Sequence, residues 1–95
     1  MTAVIVARIT VNNPEKMKAY SAAAASTVAD HDGVFALRGK HIEALLGEDA
    51  SDAIAIIQFP STTAAQGWFN SPEYQELQEL RDSAAKMQFT LFELA

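Results

Sequence analysis

The protein is a chain of 95 residues, of which 49% are hydrophobic and 20% are charged, with a formal net charge of −5. Its few Lys and Arg residues are scattered, which argues against a nucleic-acid-binding module, because such a module needs a basic face to meet phosphates. The absence of cysteine excludes disulfides and thiolate chemistry. The apolar N-terminal run is too short to span a bilayer, so we expect one cytoplasmic domain over residues 1–95 with no membrane partner.

The first third of the chain predicts a strand followed by a helix. Residues 2–11 are rich in β-branched side chains and are apolar on both alternating faces, as in a strand that is covered on both sides. Asn13, Pro14 and Glu15 suit the cap, the first turn and the positive end of a helix that reaches about Asp30. One face of this helix is expected to carry Met17, Tyr20, Ala24, Val28 and His31.

The middle of the chain predicts a second strand over residues 34–39. Strict alternation would place Phe35 on one face and Arg38 on the other. We expect the extended chain to continue over residues 41–46, past a bulge at Gly39. An acidic turn then leads into the next strand.

The last part of the chain predicts a third strand, two helices and a closing strand. Residues 53–59 form the strand, Pro60 ends it, and Ser61 caps a short helix. Residues 70–73, Asn-Ser-Pro-Glu, repeat the pattern of a capping side chain followed by Pro and Glu, which indicates a second helix start. Residues 87–94 are the expected closing strand.

The resulting order, β-α-β-β-α-β, predicts an α+β fold of ferredoxin-like topology. Such a fold has a four-stranded antiparallel sheet with both helices on one face. Three of the predicted strands are apolar on both faces, and the helices can cover only one of them. The other face would leave a large apolar patch on a monomer, so we expect a homodimer through the sheet face.

The stretch from Phe59 to Arg81 carries the most specific pattern. It contains Phe59-Pro60-Ser61, Ala65, Trp68, Asn70-Ser71-Pro72-Glu73-Tyr74 and Arg81, and it follows Tyr20 in the first helix and Arg38-Gly39 in the second strand. With these residues nearly the whole chain resembles the dimeric α/β-barrel superfamily and, within it, the uncharacterised family DUF1330. The resemblance implies a ferredoxin-like monomer whose sheet packs on that of a second copy. It implies no particular reaction, because the superfamily includes cofactor-free monooxygenases, lactone isomerases, haem enzymes and binding modules.

Four residues are the expected ligand-binding set. Tyr74 and Arg81 lie seven residues apart in one predicted helix and therefore point the same way. The planar fork of an Arg suits a carboxylate or a phosphate, and Arg38, near the end of the second strand, could supply a second cation. Trp68 is the fourth member, as a residue on which a ligand could stack. The structural alternative is that Arg81 pairs with an acid such as Asp30, Glu73 or Asp82, while the two aromatic residues only pack in the core.

His31 and Tyr20 are the candidates for handling a proton in a reaction. A histidine titrates near neutral pH, but at the end of a helix it can also simply stabilise the helix terminus. The spacing of the histidines and carboxylates gives no support for a metal site, and no cofactor is expected. Haem ligated by a single histidine is the one cofactor alternative, and it would need an apolar pocket next to that histidine.

Two hypotheses of function follow from these residues. The first is a small-molecule-binding protein or a cofactor-free enzyme, with a pocket between helices and sheet for a small anionic or oxygen-rich ligand. The second is a structural homodimer without enzymatic activity, in which the same residues only hold the fold and the subunits together.

Overall fold

The computed structural model describes residues 2–95. Four strands and four helices follow one another in the order β1 Ala3–Val11, α1 Pro14–Asp30, β2 Val34–Lys40, β3 Ala53–Phe59, α2 Thr62–Phe69, α3 Pro72–Gln75, α4 Gln78–Ala84 and β4 Ala85–Glu93. None of these helices combines the length and the apolar character needed to cross a membrane.

The strands form one antiparallel sheet in the order β2-β3-β1-β4. In β1 the residues Ala3, Ile5, Ala7 and Ile9 are buried beneath the helices, whereas Arg8 is exposed on the opposite face. The order of strands and the helix layer on one face confirm the predicted α+β fold of ferredoxin-like topology.

The predicted helix starts are confirmed by side-chain caps. The Asn13 side chain accepts a hydrogen bond of 3.1 Å from the backbone N–H of Lys16 at the start of α1. Ser61 caps α2 and Ser71 caps α3 in the same way. Each cap satisfies one of the backbone N–H groups that a first helical turn leaves without a partner.

Helix α1 ends at a residue that is in the left-handed conformation although it is not a glycine. The residue in the left-handed region is Asp32, with φ of 63°. The N–H of Asp32 donates to the carbonyl of Ala29, and the N–H of Gly33 donates to that of Val28. This is the Schellman pattern, in which Asp32 takes the position that glycine usually holds. Gly33 is needed for space, because a Cβ there would lie 2.6 Å from the Phe59 ring.

The bulge in β2 lies near its start, and the predicted bulge at Gly39 is wrong. Phe35 pairs with Ile57 and Leu37 pairs with Ile56, so Ala36 is an extra residue in β2. A bulge of this kind reverses the alternation of faces for every residue that follows it.

The reversal changes the position of Arg38. Arg38 pairs with Ala55, a buried residue of the helix-covered face, and it therefore shares that face with Phe35. The prediction from strict alternation, which separated Phe35 from Arg38, is wrong for this reason. The Arg38 guanidinium carbon lies 4.5 Å from the centre of the Phe35 ring.

Two further expectations are corrected. Residues 41–46 form no strand, and Ile42, Leu45 and Leu46 in this loop are 83%, 89% and 97% exposed.

The last predicted helix is divided into α3 and α4. At Leu77 the helical turn is tighter, because the N–H of Leu77 donates to the carbonyl of Tyr74 only three residues earlier.

An aromatic core fills one end of the space between the helices and the sheet. Phe59, Trp68 and Tyr74 are each 1% exposed. The Trp68 Nε1–H donates to the Thr27 hydroxyl over 3.0 Å, and that hydroxyl donates to the carbonyl of Ala24 over 2.8 Å. The buried indole nitrogen is thereby satisfied, which fixes α2 against α1.

Candidate functional site

A cavity of about 410 Å³ lies between α1 and the sheet. Its lining comes from both layers and is largely apolar, and the apolar members are Ala7, Ile9, Val11, Met17, Ala24, Phe35, Ala53, Ile54, Ala55, Ile57, Trp68, Met87 and Phe89.

The cavity exists because small side chains meet where large ones would close the gap. Ala7 in β1 pairs with Ala55 in β3, and Ala24 lines the same space from α1. At the other end of these strands Ile5 pairs with Ile57 and packs into the aromatic core. Larger side chains at the three alanine positions would fill much of this space.

Arg38 and Lys40 are the two cations that line the cavity. Both belong to β2 beyond the bulge, with Lys40 opposite Ala53. They are largely exposed, which places them towards solvent rather than in the buried depth of the cavity. No Asp or Glu among residues 2–95 lines the cavity, and none lies within salt-bridge distance of either cation. This positive pair stands out in a chain with a net charge of −5.

A buried chain of hydrogen bonds leads from Tyr20 in the cavity lining, through Tyr74, to Arg81. The Tyr20 and Tyr74 hydroxyls lie 2.7 Å apart, and Nη1 of Arg81 donates to the Tyr74 hydroxyl over 3.3 Å. Nε of Arg81 also donates to the Asp82 carboxylate over 3.1 Å. Burial, together with the nearby Tyr74, raises the pKa of Tyr20 well above its ordinary value, because the phenolate would lose its hydration there.

Three of the six residues singled out from the sequence line the cavity, namely Tyr20, Arg38 and Trp68. Trp68 belongs to the core at the same time, so the two interpretations of its role are compatible.

The other three singled-out residues lie elsewhere. Tyr74 is packed behind Tyr20 and Trp68, and Arg81 lines a separate recess together with Asp82. The alternative that Arg81 pairs with Asp82 is confirmed, and the contact of Arg81 with Tyr74 exists beside it. His31 is the residue that ends α1, and it does not line the cavity.

Lys40 is the cavity residue that the sequence interpretation missed. It lies two residues after Arg38 in the same strand, and residues at that spacing share a face. The two-residue spacing from Arg38 is the sequence signal that indicates Lys40 as a second ligand-binding cation.

Solved structures of the same fold confirm the architecture. A protein of unknown function from Rhodopseudomonas palustris, RPA0582, superposes with a TM-score of 0.81 at 17% identity, over 99% of this chain and 82% of that one. SnoaB, a cofactor-independent oxygenase from Streptomyces nogalater, gives a TM-score of 0.70 at 18% identity, over 99% and 93% of the two chains. A dimeric ferredoxin-like protein of unknown function from Jannaschia sp. CCS1 gives 0.76 at 8% identity, over 99% and 100%.

At these identities the similarity to the solved structures concerns the fold alone. The chain matches no curated protein sequence. A family model does match, over residues 2–95, and its description is a domain of unknown function. The chain therefore belongs to the DUF1330 family.

Proposed function

We propose that the chain binds a small organic anion with an apolar body in the cavity between α1 and the sheet. The observation that carries this proposal is the pair Arg38 and Lys40 on a largely apolar lining, whose uncharged polar side chains are those of Tyr20 and Ser21 and which contains no carboxylate of the described chain. A charged group that meets two cations gains charge-assisted hydrogen bonds, and an apolar body gains by leaving water.

The size and composition of the cavity support a ligand of one or two rings. Ligand cavities in proteins have volumes of about 300 to 1,000 Å³, with apolar walls and a few polar groups that orient the ligand. The volume of about 410 Å³ lies in the lower part of that range. Phe35, Trp68 and Phe89 supply aromatic surface on which a flat ring can pack.

The polar residues of the lining favour binding over acid–base catalysis. Tyr20 keeps its proton because its pKa is raised, so it acts as a hydrogen-bond donor and not as a base. His31 lies outside the cavity. SnoaB, which has the same fold, is a cofactor-independent oxygenase, so the fold is compatible with a reaction that needs no cofactor. In this chain we assign ligand binding as the function and Arg38 and Lys40 as the residues that hold the anionic group.

We also propose that two copies associate through the face of the sheet that the helices leave uncovered. Val6 and Ile56 lie on this face, and Leu37 and Phe92 are about half exposed at its sides, at 52% and 51%. A second copy offers the same apolar residues, which allows the self-complementary contact of a two-fold dimer. The Jannaschia protein of the same fold is described as dimeric, which supports this arrangement.

The experiment uses sodium 2-naphthoate as the probe and isothermal titration calorimetry as the measurement. We expect binding to the wild type and a loss of affinity of about tenfold or more in Arg38→Gln/Lys40→Gln, because charged hydrogen bonds contribute about 1.5 to 3 kcal/mol each. The neutral probe 2-naphthalenemethanol should bind the wild type and the double variant equally, since it has no charge to lose.

Two controls locate the site. Lys18→Gln removes one positive charge from an exposed position on α1 outside the cavity, and it should bind 2-naphthoate like the wild type. Ala24→Leu places a larger side chain in the cavity and should abolish binding while the chain stays folded. A purely structural homodimer would show no saturable binding, or binding that none of these cavity variants alters, and either result would overturn the proposal.

A further inference from the structure

Arg81, Tyr74 and Tyr20 connect three helices through their polar atoms. Nη1 of Arg81 in α4 lies 3.3 Å from the Tyr74 hydroxyl in α3, and that hydroxyl lies 2.7 Å from the Tyr20 hydroxyl in α1. Tyr74 and Tyr20 are 1% and 5% exposed, and the Arg81 side chain is 17% exposed. Both hydrogen bonds are therefore largely removed from water.

One assignment of donors and acceptors is favourable for the hydrogen bonds that link Arg81, Tyr74 and Tyr20. A guanidinium only donates, so the Tyr74 oxygen accepts from Arg81. Tyr74 is otherwise surrounded by the rings of Trp68, Phe69 and Phe89. If Tyr20 donated to Tyr74, the Tyr74 proton would have no acceptor in this aromatic environment, whereas the Tyr20 proton can meet an acceptor in the cavity that Tyr20 lines. The favourable order is that Arg81 donates to Tyr74 and Tyr74 donates to Tyr20.

In this order the hydroxyl proton of Tyr20 has no hydrogen-bond acceptor in the described part of the protein. Apart from Tyr74, no group of residues 2–95 forms a hydrogen bond with the Tyr20 hydroxyl. Of the three hydrogen-bonded residues, Tyr20 alone lines the cavity. Within the described part of the protein this proton has no acceptor, and a molecule in the cavity that Tyr20 lines could supply one.

We propose that the hydrogen-bonded series Arg81–Tyr74–Tyr20 presents Tyr20 as a hydrogen-bond donor to the bound molecule. The ligand is then an apolar acid that carries a second oxygen acceptor, a carbonyl or hydroxyl group, on its body. This inference rests on the proposed function, since Arg38 and Lys40 hold the acidic group and Tyr20 meets the second oxygen. Arg81 is a positioning residue, because it acts through Tyr74 and does not line the cavity. Hydrogen bonds in series polarise one another, so the Arg81 charge makes Tyr20 a stronger donor.

The test compares two probes of similar shape. Chromone-2-carboxylate carries a ring carbonyl, whereas 2-naphthoate is an aromatic acid without one. We expect the wild type to bind chromone-2-carboxylate more tightly, and Tyr20→Phe to lower that affinity about fivefold, as one lost hydrogen bond does. The affinity for 2-naphthoate should stay within about twofold, because its contacts do not include Tyr20 as a donor.

Variants of Arg81 test the positioning role. Arg81→Met should lower the affinity for chromone-2-carboxylate and not that for 2-naphthoate, and Arg81→Lys, which can still donate to Tyr74, should restore it. Equal losses for both probes in Tyr20→Phe would mean a structural effect and would overturn the inference, as would no loss for either probe. Binding of 2-naphthoate that depends on Arg38 and Lys40 would leave the proposed function intact in both cases. Failure of both probes to bind would overturn the proposed function and the inference together.

Discussion

The hydroxyl of Tyr20 lies 2.7 Å from the hydroxyl of Tyr74, although the two residues are 54 positions apart in the sequence. They are the two tyrosines of the chain. Every tyrosinate signal in its absorbance spectrum therefore reports on this buried pair, which makes the environment of Tyr20 open to direct measurement.

The raised pKa of Tyr20 predicts a loss of stability at alkaline pH. The folded chain keeps the Tyr20 proton at pH values where the unfolded chain, with a pKa of about 10, releases it. The corresponding stabilisation is fully present below about pH 10 and falls as the pH rises above it. We expect the stability difference between wild type and Tyr20→Phe in urea to be smaller at about pH 11 than at about pH 8. A difference that is the same at both pH values would contradict the prediction.

Because Trp68 donates a hydrogen bond to Thr27, removal of the Thr27 hydroxyl is expected to lower the stability of the protein. Thr27→Val keeps the shape of the side chain but leaves the buried Nε1–H of Trp68 without an acceptor. We expect a loss of about 1 to 3 kcal/mol in the free energy of unfolding, measured in urea. Thr27→Ser, which keeps the hydroxyl, is the control and should lose less. Equal losses in the two variants would show that packing and not hydrogen bonding determines the effect.

Replacement by alanine is expected to have opposite effects on stability at two glycines, because their surroundings differ. In Gly33→Ala the new Cβ would lie 2.6 Å from Phe59 and 2.7 Å from Val28, both buried, so we expect a loss of about 1 to 3 kcal/mol. In Gly67→Ala the Cβ meets nothing within 4 Å, and alanine is the better helix former, so α2 should gain about 0.5 to 1 kcal/mol. Thermal unfolding followed by circular dichroism measures both changes, and a shift of the same sign in both would refute the packing explanation.

The left-handed backbone at Asp32 predicts a stabilising substitution. Asp32→Gly should raise the free energy of unfolding by about 0.5 to 1 kcal/mol, because glycine adopts a φ of 63° without the steric penalty of a Cβ. Asp30→Gly is the matched control, since Asp30 is an ordinary residue of the last turn of α1 and the change should destabilise the helix. If Asp32→Gly proves no more stable than Asp30→Gly in urea, the Schellman assignment at the end of α1 is incorrect.

The uncovered sheet face predicts a monomerising substitution. Ile56 pairs with Val6 and Leu37 near the middle of that face. Ile56→Asp would bury a carboxylate in the proposed interface, so we expect sedimentation at about 10 µM to give twice the chain mass for the wild type and the single mass for the variant. Thr63→Asp, on the exposed side of α2, should remain dimeric. A wild type with the mass of one chain at this concentration would rule out the dimer.

Local sequence signals were sufficient for the elements and the topology. Asn13, Ser61 and Ser71 mark helix starts because capping depends on residues three positions away in the chain. The apolar periodicity of the strands and helices likewise records which side of each element is buried. Such signals fixed the β-α-β-β-α-β order, and with it the ferredoxin-like sheet.

The site depended on relationships between elements, which local signals do not record. A single extra residue, Ala36, turns Arg38 and Lys40 towards the cavity, and nothing in the alternation of β2 by itself reveals which residue its partner strand skips. The cavity results from alanines on three separate elements that meet only after packing. The contact of Tyr20 with Tyr74 likewise depends on how closely α1 and α3 approach each other. The sequence by itself therefore determined the fold, while only the tertiary structure decided which side chains share the cavity, because a cavity is defined by the distances between elements.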